Sequence, residues 1–137
     1  MPEKKTIERA RRDAREGKAP TTQAGEFVRE EMEHVREGKH GARNTKQAIA
    51  IGLSKARRAG VKLPAPGRGT SRRTRRKAAQ DTRAARRGGS RRRTSTRRSR
   101  ATTKALRREG HRAASKRALS RQAKSTARRR RRPSRSR

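Results

Sequence analysis

The sequence predicts a mostly α-helical protein: a small N-terminal three-helix module followed by a long disordered Arg-rich tail. Three observations carry this expectation. Up to Leu63 the apolar residues recur at helical spacing, with a glycine just past each helix end. The run Leu63-Pro64-Ala65-Pro66-Gly67-Arg68-Gly69 then stops any helix, because two prolines lack amide donors and two glycines favour turns. Beyond it the charge is almost entirely of one sign: residues 1–63 carry 16 basic and 9 acidic side chains, residues 64–137 carry 30 and 2. The expected divisions are a helical module over 1–63, a linker over 64–70 and a disordered nucleic-acid-binding tail over 71–137.

The first helix is expected from about Glu3 to Glu16, with Pro2 ahead of it, Gly17 behind it, and a thin apolar stripe of Ile7, Ala10 and Ala14. The second follows Pro20-Thr21-Thr22, where a Thr side chain is expected to cap the first amides, and runs to about Glu37 before Gly38. At 100° per residue, Ala24, Phe27, Val28, Met32 and Val35 share one face. Glu26, Arg29, Glu30, Glu33, Arg36 and Glu37 take the other. The third opens at Asn44, with Gln47 three residues on in the manner of a capping box, and ends near Gly60. Its inner face is Ile49, Gly52, Leu53 and Ala56, small enough for another helix to approach closely. Arg15-Glu16-Gly17-Lys18 recurs as Arg36-Glu37-Gly38-Lys39, which reads as shared cap chemistry.

The tail is expected to be disordered in the free protein. Its large aliphatics are Leu106 and Leu119 alone, so little apolar burial offsets about 1–2 kcal/mol of backbone entropy per ordered residue. With DNA, residues 101–127 are expected to gain helix, interrupted at Gly110.

The block from Gly17 to Glu31 (Gly17-Lys18-Ala19-Pro20-Thr21-Thr22-Gln23-Ala24-Gly25-Glu26-Phe27-Val28-Arg29-Glu30-Glu31), with Lys46 to Gly60 after it, resembles a family of small bacterial proteins with a domain of unknown function. The resemblance covers roughly the first 64 residues. It implies a bacterial cytoplasmic origin and assigns no catalytic or binding residue. The remainder is similar, in composition only, to the basic tails of bacterial histone H1-like proteins, with Arg in place of their usual Lys.

Composition narrows the function classes. The 137 residues carry 46 Lys and Arg against 11 Asp and Glu, a formal charge of +35, with 25% hydrophobic residues, one Phe, and no Trp, Tyr or Cys. No disulfide or thiolate metal site is available. The longest apolar run, Ala48 to Leu53, falls far short of the roughly 20 residues that span a bilayer. A start of Met1-Pro2-Glu3-Lys4-Lys5 with no apolar stretch behind it leads us to expect no secretory signal, and a cytoplasmic, nucleoid-associated protein.

A strongly basic segment condenses on phosphate. Of its 30 cations 26 are Arg, whose planar fork grips phosphate through two hydrogen bonds. The expected function is therefore sequence-non-specific, histone-like DNA binding, with duplex DNA favoured over RNA as the ligand; the lack of any aromatic residue in the tail argues against a stacking platform for single strands, while composition by itself does not separate DNA from RNA. The expected contacts are Arg72, Arg73, Arg75, Arg76, Lys77, Arg91, Arg92, Arg93, Arg97, Arg98, Arg107, Arg108 and Arg128, Arg129, Arg130, Arg131 and Arg132. Secondary contacts are expected from Lys46, Lys55, Arg57 and Arg58, should the second and third helices act as a helix-turn-helix. The alternatives are a ribosome- or RNA-associated basic protein, or an adaptor whose N-terminal helices recruit a protein partner or a second copy.

Enzymatic constellations are nearly empty: no nucleophile stands with a base, no cofactor or metal is expected, and the chain reads as a non-enzyme. Glu31-Met32-Glu33-His34 contains one Glu-x-x-His, where a carboxylate-bridged centre needs two. His34 is expected to be solvated on an acidic face, and His40 and His111 to lack partners. The cluster Glu26, Glu30, Glu31, Glu33 and Glu37 reads as a solubilising face, as one that folds back onto the Arg tail and competes with DNA, or as a dock for a basic partner protein.

Overall fold

The computed structural model describes residues 2–67, 69–86 and 95–131, and among these the chain forms six α-helices. Three lie in the N-terminal part: α1 (Lys4–Arg15), α2 (Pro20–Arg36) and α3 (Thr45–Arg58). Three more lie in the part expected to be disordered: α4 (Arg72–Arg86), α5 (Thr96–Arg108) and α6 (Lys116–Arg131), with a short 3-10 turn, Arg112–Ala114, before α6. A protein of three helices and a long disordered tail is therefore not what the chain forms. No described helix is long and apolar enough to cross a membrane.

The first three helices start and stop where local chemistry directs. Gly17, Gly38 and Gly60 have φ of 75°, 78° and 98°. Each follows its helix with paired return bonds, as in Lys39 N to His34 O at 3.0 Å and Gly38 N to Val35 O at 3.3 Å. The repeated Arg-Glu-Gly-Lys is thus a recurrent C-cap. Asn44 caps α3 through its Oδ1, which accepts from Gln47 N at 2.8 Å. The reciprocal arm reaches one residue further than a capping box, with Gln47 Oε1 accepting from Arg43 N. No Thr caps α2: Ala19 holds the cap position without a side-chain bond, and Pro20 supplies a pre-set φ at the first turn.

Packing centres on α2, which lies against α1 on one flank and α3 on the other. One apolar cluster joins Ala10, Ala24, Phe27 and Ala56, with Ile7, Leu53, Val61 and Leu63 around it; Ala14 stays exposed. The small residue at the α2–α3 crossing is Gly52, where a Cβ would lie 2.7 Å from Val28 Cα. Backbone cannot yield there as a side chain can. Gly52→Ala gains up to about 1 kcal/mol of helix propensity but must spread the two helices, so a net loss of about 1–2 kcal/mol in urea unfolding is expected. An unchanged midpoint would show that the crossing is looser than this.

The second apolar cluster explains why the C-terminal half is ordered. It joins Met32, Val35, Ala42 and Ala48 to Ala113 and Ala114, with Leu119 packed on its edge. Backbone bonds reinforce the contact: Gly41 N donates to Leu106 O at 2.8 Å and Ala42 N to Gly110 O at 3.0 Å. Side chains add Arg36 Nε to Ala114 O at 2.9 Å and Thr45 Oγ1 to Ala113 O at 2.7 Å. Helix α4 docks separately on α3 through Ala78 and Asp81. Hydroxyls cap α4 and α6, with Ser71 Oγ accepting from Thr74 N and Ser115 Oγ from Ala118 N. An estimate from large aliphatics alone omits alanine contacts, caps and backbone bonds, and these are what hold this half. Residues 101–127 are already largely helical without DNA, broken between Arg108 and Lys116 around Gly110.

Candidate functional site

Two features of the surface and interior carry chemistry. The first is the distribution of cations. Every Lys and Arg on α4, α5 and α6 is exposed, whereas the two carboxylates of that half turn inward. Asp81 is fully buried, and accepts from Ser54 Oγ at 2.7 Å, Arg58 Nε at 2.7 Å and Lys77 Nζ at 3.1 Å. Burial alone pushes the Asp81 carboxyl up, but the hydrogen bonds from Ser54, Arg58 and Lys77 outweigh it and hold the group below its ordinary value. Glu109 is half-buried and lies 3.9 Å from Arg43 Nε.

The expected contacts distribute over separate helices. Arg72, Arg73, Arg75, Arg76 and Lys77 share α4, where Lys77 also pairs with Asp81. Arg97, Arg98, Arg107 and Arg108 lie on α5, which also carries Arg100 and Lys104 and packs against no other helix among the described residues. Arg128, Arg129, Arg130 and Arg131 form the last turn of α6, where cations face the negative end of the helix dipole. Arg91, Arg92, Arg93 and Arg132 lie outside the described residues.

The secondary set behaves differently. Lys46 is exposed at the start of α3, lining a groove with Arg112 and Arg121 from the C-terminal half. Lys55 bonds Glu31, Arg57 Nη2 bonds Pro64 O at 3.1 Å, and Arg58 bonds Asp81. Helix α3 is flanked by α2, α4 and α6, so most of this set fastens the fold instead of facing outward as a recognition helix would.

The second feature is a buried polar cluster beside the end of α2. The acidic face expected there is split: Glu30 and Glu31 are buried, because α2 is covered on both flanks. Glu30 accepts from Glu3 N and Thr6 Oγ1. Glu31 Oε1 pairs with Lys55 Nζ, and its Oε2 lies 3.0 Å from His40 Nε2. His34 is only 13% exposed at its side chain, with Nδ1 3.9 Å from Glu31 Oε1 and Nε2 3.2 Å from Glu3 Oε1. Neither histidine is therefore solvated or without partners. Glu3 is held below its ordinary pKa by hydrogen bonds from His34 and then Lys39. Glu33 pairs with Arg29 and Glu37 with Lys39; among the described residues none of the five α2 glutamates bonds a side chain of α4, α5 or α6.

Sequence reasoning passed over Asp81 and the Ala113-Ala114 pair, and expected His40 to lack partners. Asp81 had a readable signal, a lone acid inside an Arg-rich helix. His40 had none, since only the chain reversal at Gly38 returns it to α2. No curated protein and no solved structure matches the chain. Residues 3–66, which hold α1, α2, α3 and the Glu31–His34–His40 cluster, match the model of a family of unknown function (DUF6496).

Proposed function

We propose that the protein binds nucleic acid without sequence preference, with duplex DNA as its ligand, and coats the bacterial nucleoid through the Arg-rich faces of α4, α5 and α6. The observation that carries this reading is the separation of charge on the C-terminal half: its cations are all exposed on the described helices, while Asp81 and Glu109 are engaged in docking. Phosphate meets guanidinium with little competing carboxylate. The likeness of this half to bacterial histone H1-like tails supports the same reading from composition. Helix α5 suits the task best. Its 13 residues span about 20 Å, and a major groove about 12 Å wide admits a helix. The short side chains Ser99, Ala101, Thr102, Thr103 and Ala105 between its cations keep it slim. Low base specificity is expected of long, exposed cationic side chains, which engage phosphate and carry no sequence information.

Binding measured against salt tests the reading. If about ten phosphates are engaged, log K against log salt falls with a slope near −9. Replacing Arg97, Arg98, Arg100, Arg107 and Arg108 with Gln leaves the apolar clusters untouched, and shallows the slope by about 4 if α5 supplies five of the contacts. A wild-type slope shallower than about −3 would overturn the reading, as would a preference for double-stranded RNA over DNA of equal length in direct competition.

A further inference from the structure

Both histidines beside Glu31 have one ring nitrogen occupied by a pure acceptor. His40 Nδ1 lies 2.9 Å from Gly41 O, and a carbonyl can only accept, so Nδ1 carries the hydrogen. His34 Nε2 lies 3.2 Å from the Glu3 carboxylate, which fixes its hydrogen on Nε2 in the same way. In the neutral ring the remaining nitrogen is then a bare lone pair. For His40 that lone pair, on Nε2, faces Glu31 Oε2 at 3.0 Å, and for His34, on Nδ1, it faces Glu31 Oε1 at 3.9 Å. Two acceptors at 3.0 Å need something positive between them. Glu31 Oε2 is completely buried and has no hydrogen bond of its own, which is costly for a carboxylate oxygen unless a proton donor or a metal ion completes it.

We propose that Glu31, His34 and His40 bind one divalent transition-metal ion of the zinc class, with water in the fourth position. One candidate ligand atom from each of the three residues lies within 4.8 Å of the other two. Bonds of about 2.0–2.2 Å to nitrogen and carboxylate oxygen need only small side-chain adjustments from there. The ring planes stand at 84° with centroids 6.0 Å apart, so the two imidazoles do not stack and are free to converge on one point. Glu3 and the Gly41 carbonyl occupy the outer positions that orient metal-bound imidazoles in known sites. Lys55 holds Glu31 Oε1, leaving Oε2 as the ligand atom. Two imidazoles and one carboxylate favour zinc over calcium or magnesium, which prefer oxygen cages.

The ion would have a structural task. It would tie the end of α2 to the loop carrying His40, and the next two residues of that loop, Gly41 and Ala42, receive the C-terminal half through Leu106 O and Gly110 O. Metal binding would thereby stiffen the surface on which that half docks.

The test titrates the full-length, metal-stripped chain with Zn2+ in a non-chelating buffer, and separately with Co2+ as a spectroscopic probe. One equivalent is expected to bind below about 10 μM, with visible Co2+ absorption of tetrahedral intensity. His34→Gln and His40→Gln should each weaken binding at least 100-fold, while His111→Gln leaves it unchanged. Imidazole NMR of the wild-type chain guards against variants that fail to fold: zinc must shift His34 Nδ1 and His40 Nε2 and leave His111 alone. Absence of saturable binding up to 100 μM metal overturns the site, and so does binding that survives the double His34/His40 replacement or shifts neither ring.

Discussion

Gly41→Ala is expected to release the end of α5 from the loop after α2, and the 3-10 turn and α6 from α2 and α3, while α1, α2 and α3 stay folded. Gly41 is buried where two backbones meet: a Cβ there would overlap the Glu109 carbonyl and lie 2.7 Å from Gly110 O. Neither obstacle is a rotatable side chain, so the backbones must part. Parting them breaks Gly41 N to Leu106 O and Ala42 N to Gly110 O, and withdraws Ala113 and Ala114 from Met32, Val35 and Ala48. Overpacking by a single carbon costs typically about 1–3 kcal/mol, and here the lost backbone bonds place the effect at the upper end, about 3 kcal/mol. Amide hydrogen exchange reads it: protection should fall at residues 106–126 and hold at 24–35 and 48–57. Because α4 docks independently through Asp81, its protection should also persist. Unchanged protection at 106–126 would mean that the loop accommodates the carbon and that the close approach is not required. Phosphate binding by exposed arginines depends little on docking, so the same variant should keep the salt slope of DNA binding.

The parts of this architecture legible in sequence are those encoded within a few residues. A glycine after a charged helix end, an Asn with Gln three residues on, and the Phe27–Val35 stripe each act locally, and each appears in the structure. What escaped depends on contacts far apart in the chain. Ala113 and Ala114 read as spacers among arginines, because alanine's apolar surface is too small to mark a face by periodicity. Their burial needs the groove left by Met32, Val35 and Ala48, some 65–80 residues earlier. The helical wheel of α2 was legible but its surroundings were not: a wheel assumes one buried face, and α2 is covered by α1 and α3 on both flanks, which buries Glu30 and Glu31. Glu31-x-x-His34 was visible as half of a pattern, while its third member, His40, arrives only because the chain reverses at Gly38. The cationic faces show the opposite balance. Their residue types were evident from composition, and their presentation on three helices was not.

Asp81→Asn is expected to loosen α4 from α3 and to remove an acid-sensitive step from the protein's unfolding. The Asp81 carboxylate, paired with Lys77 on its own helix, joins α4 to α3 through Ser54 and Arg58. Removing one member of a buried ion pair commonly costs about 3–5 kcal/mol. Here Arg58 and Lys77 are about half exposed and can rehydrate, so about 2 kcal/mol is expected, read as a lower urea midpoint and faster exchange at residues 76–86. The pH dependence follows from the direction of the shift. Asp81 is held below its ordinary value of 3.8 in the folded chain, so its contribution is fully present above about pH 4 to 5 and is lost as pH falls through the lower folded value. Wild-type α4 should therefore detach on acidification below pH 4 and stay docked from pH 5 to 8. In Asp81→Asn the docking is weaker at neutral pH and this acid step is missing, since the amide does not titrate. If wild type and variant lost α4 protection along the same acid curve, Asp81 would not be the group that couples the two helices, and the docking of α4 would rest on Ala78 and its neighbours alone.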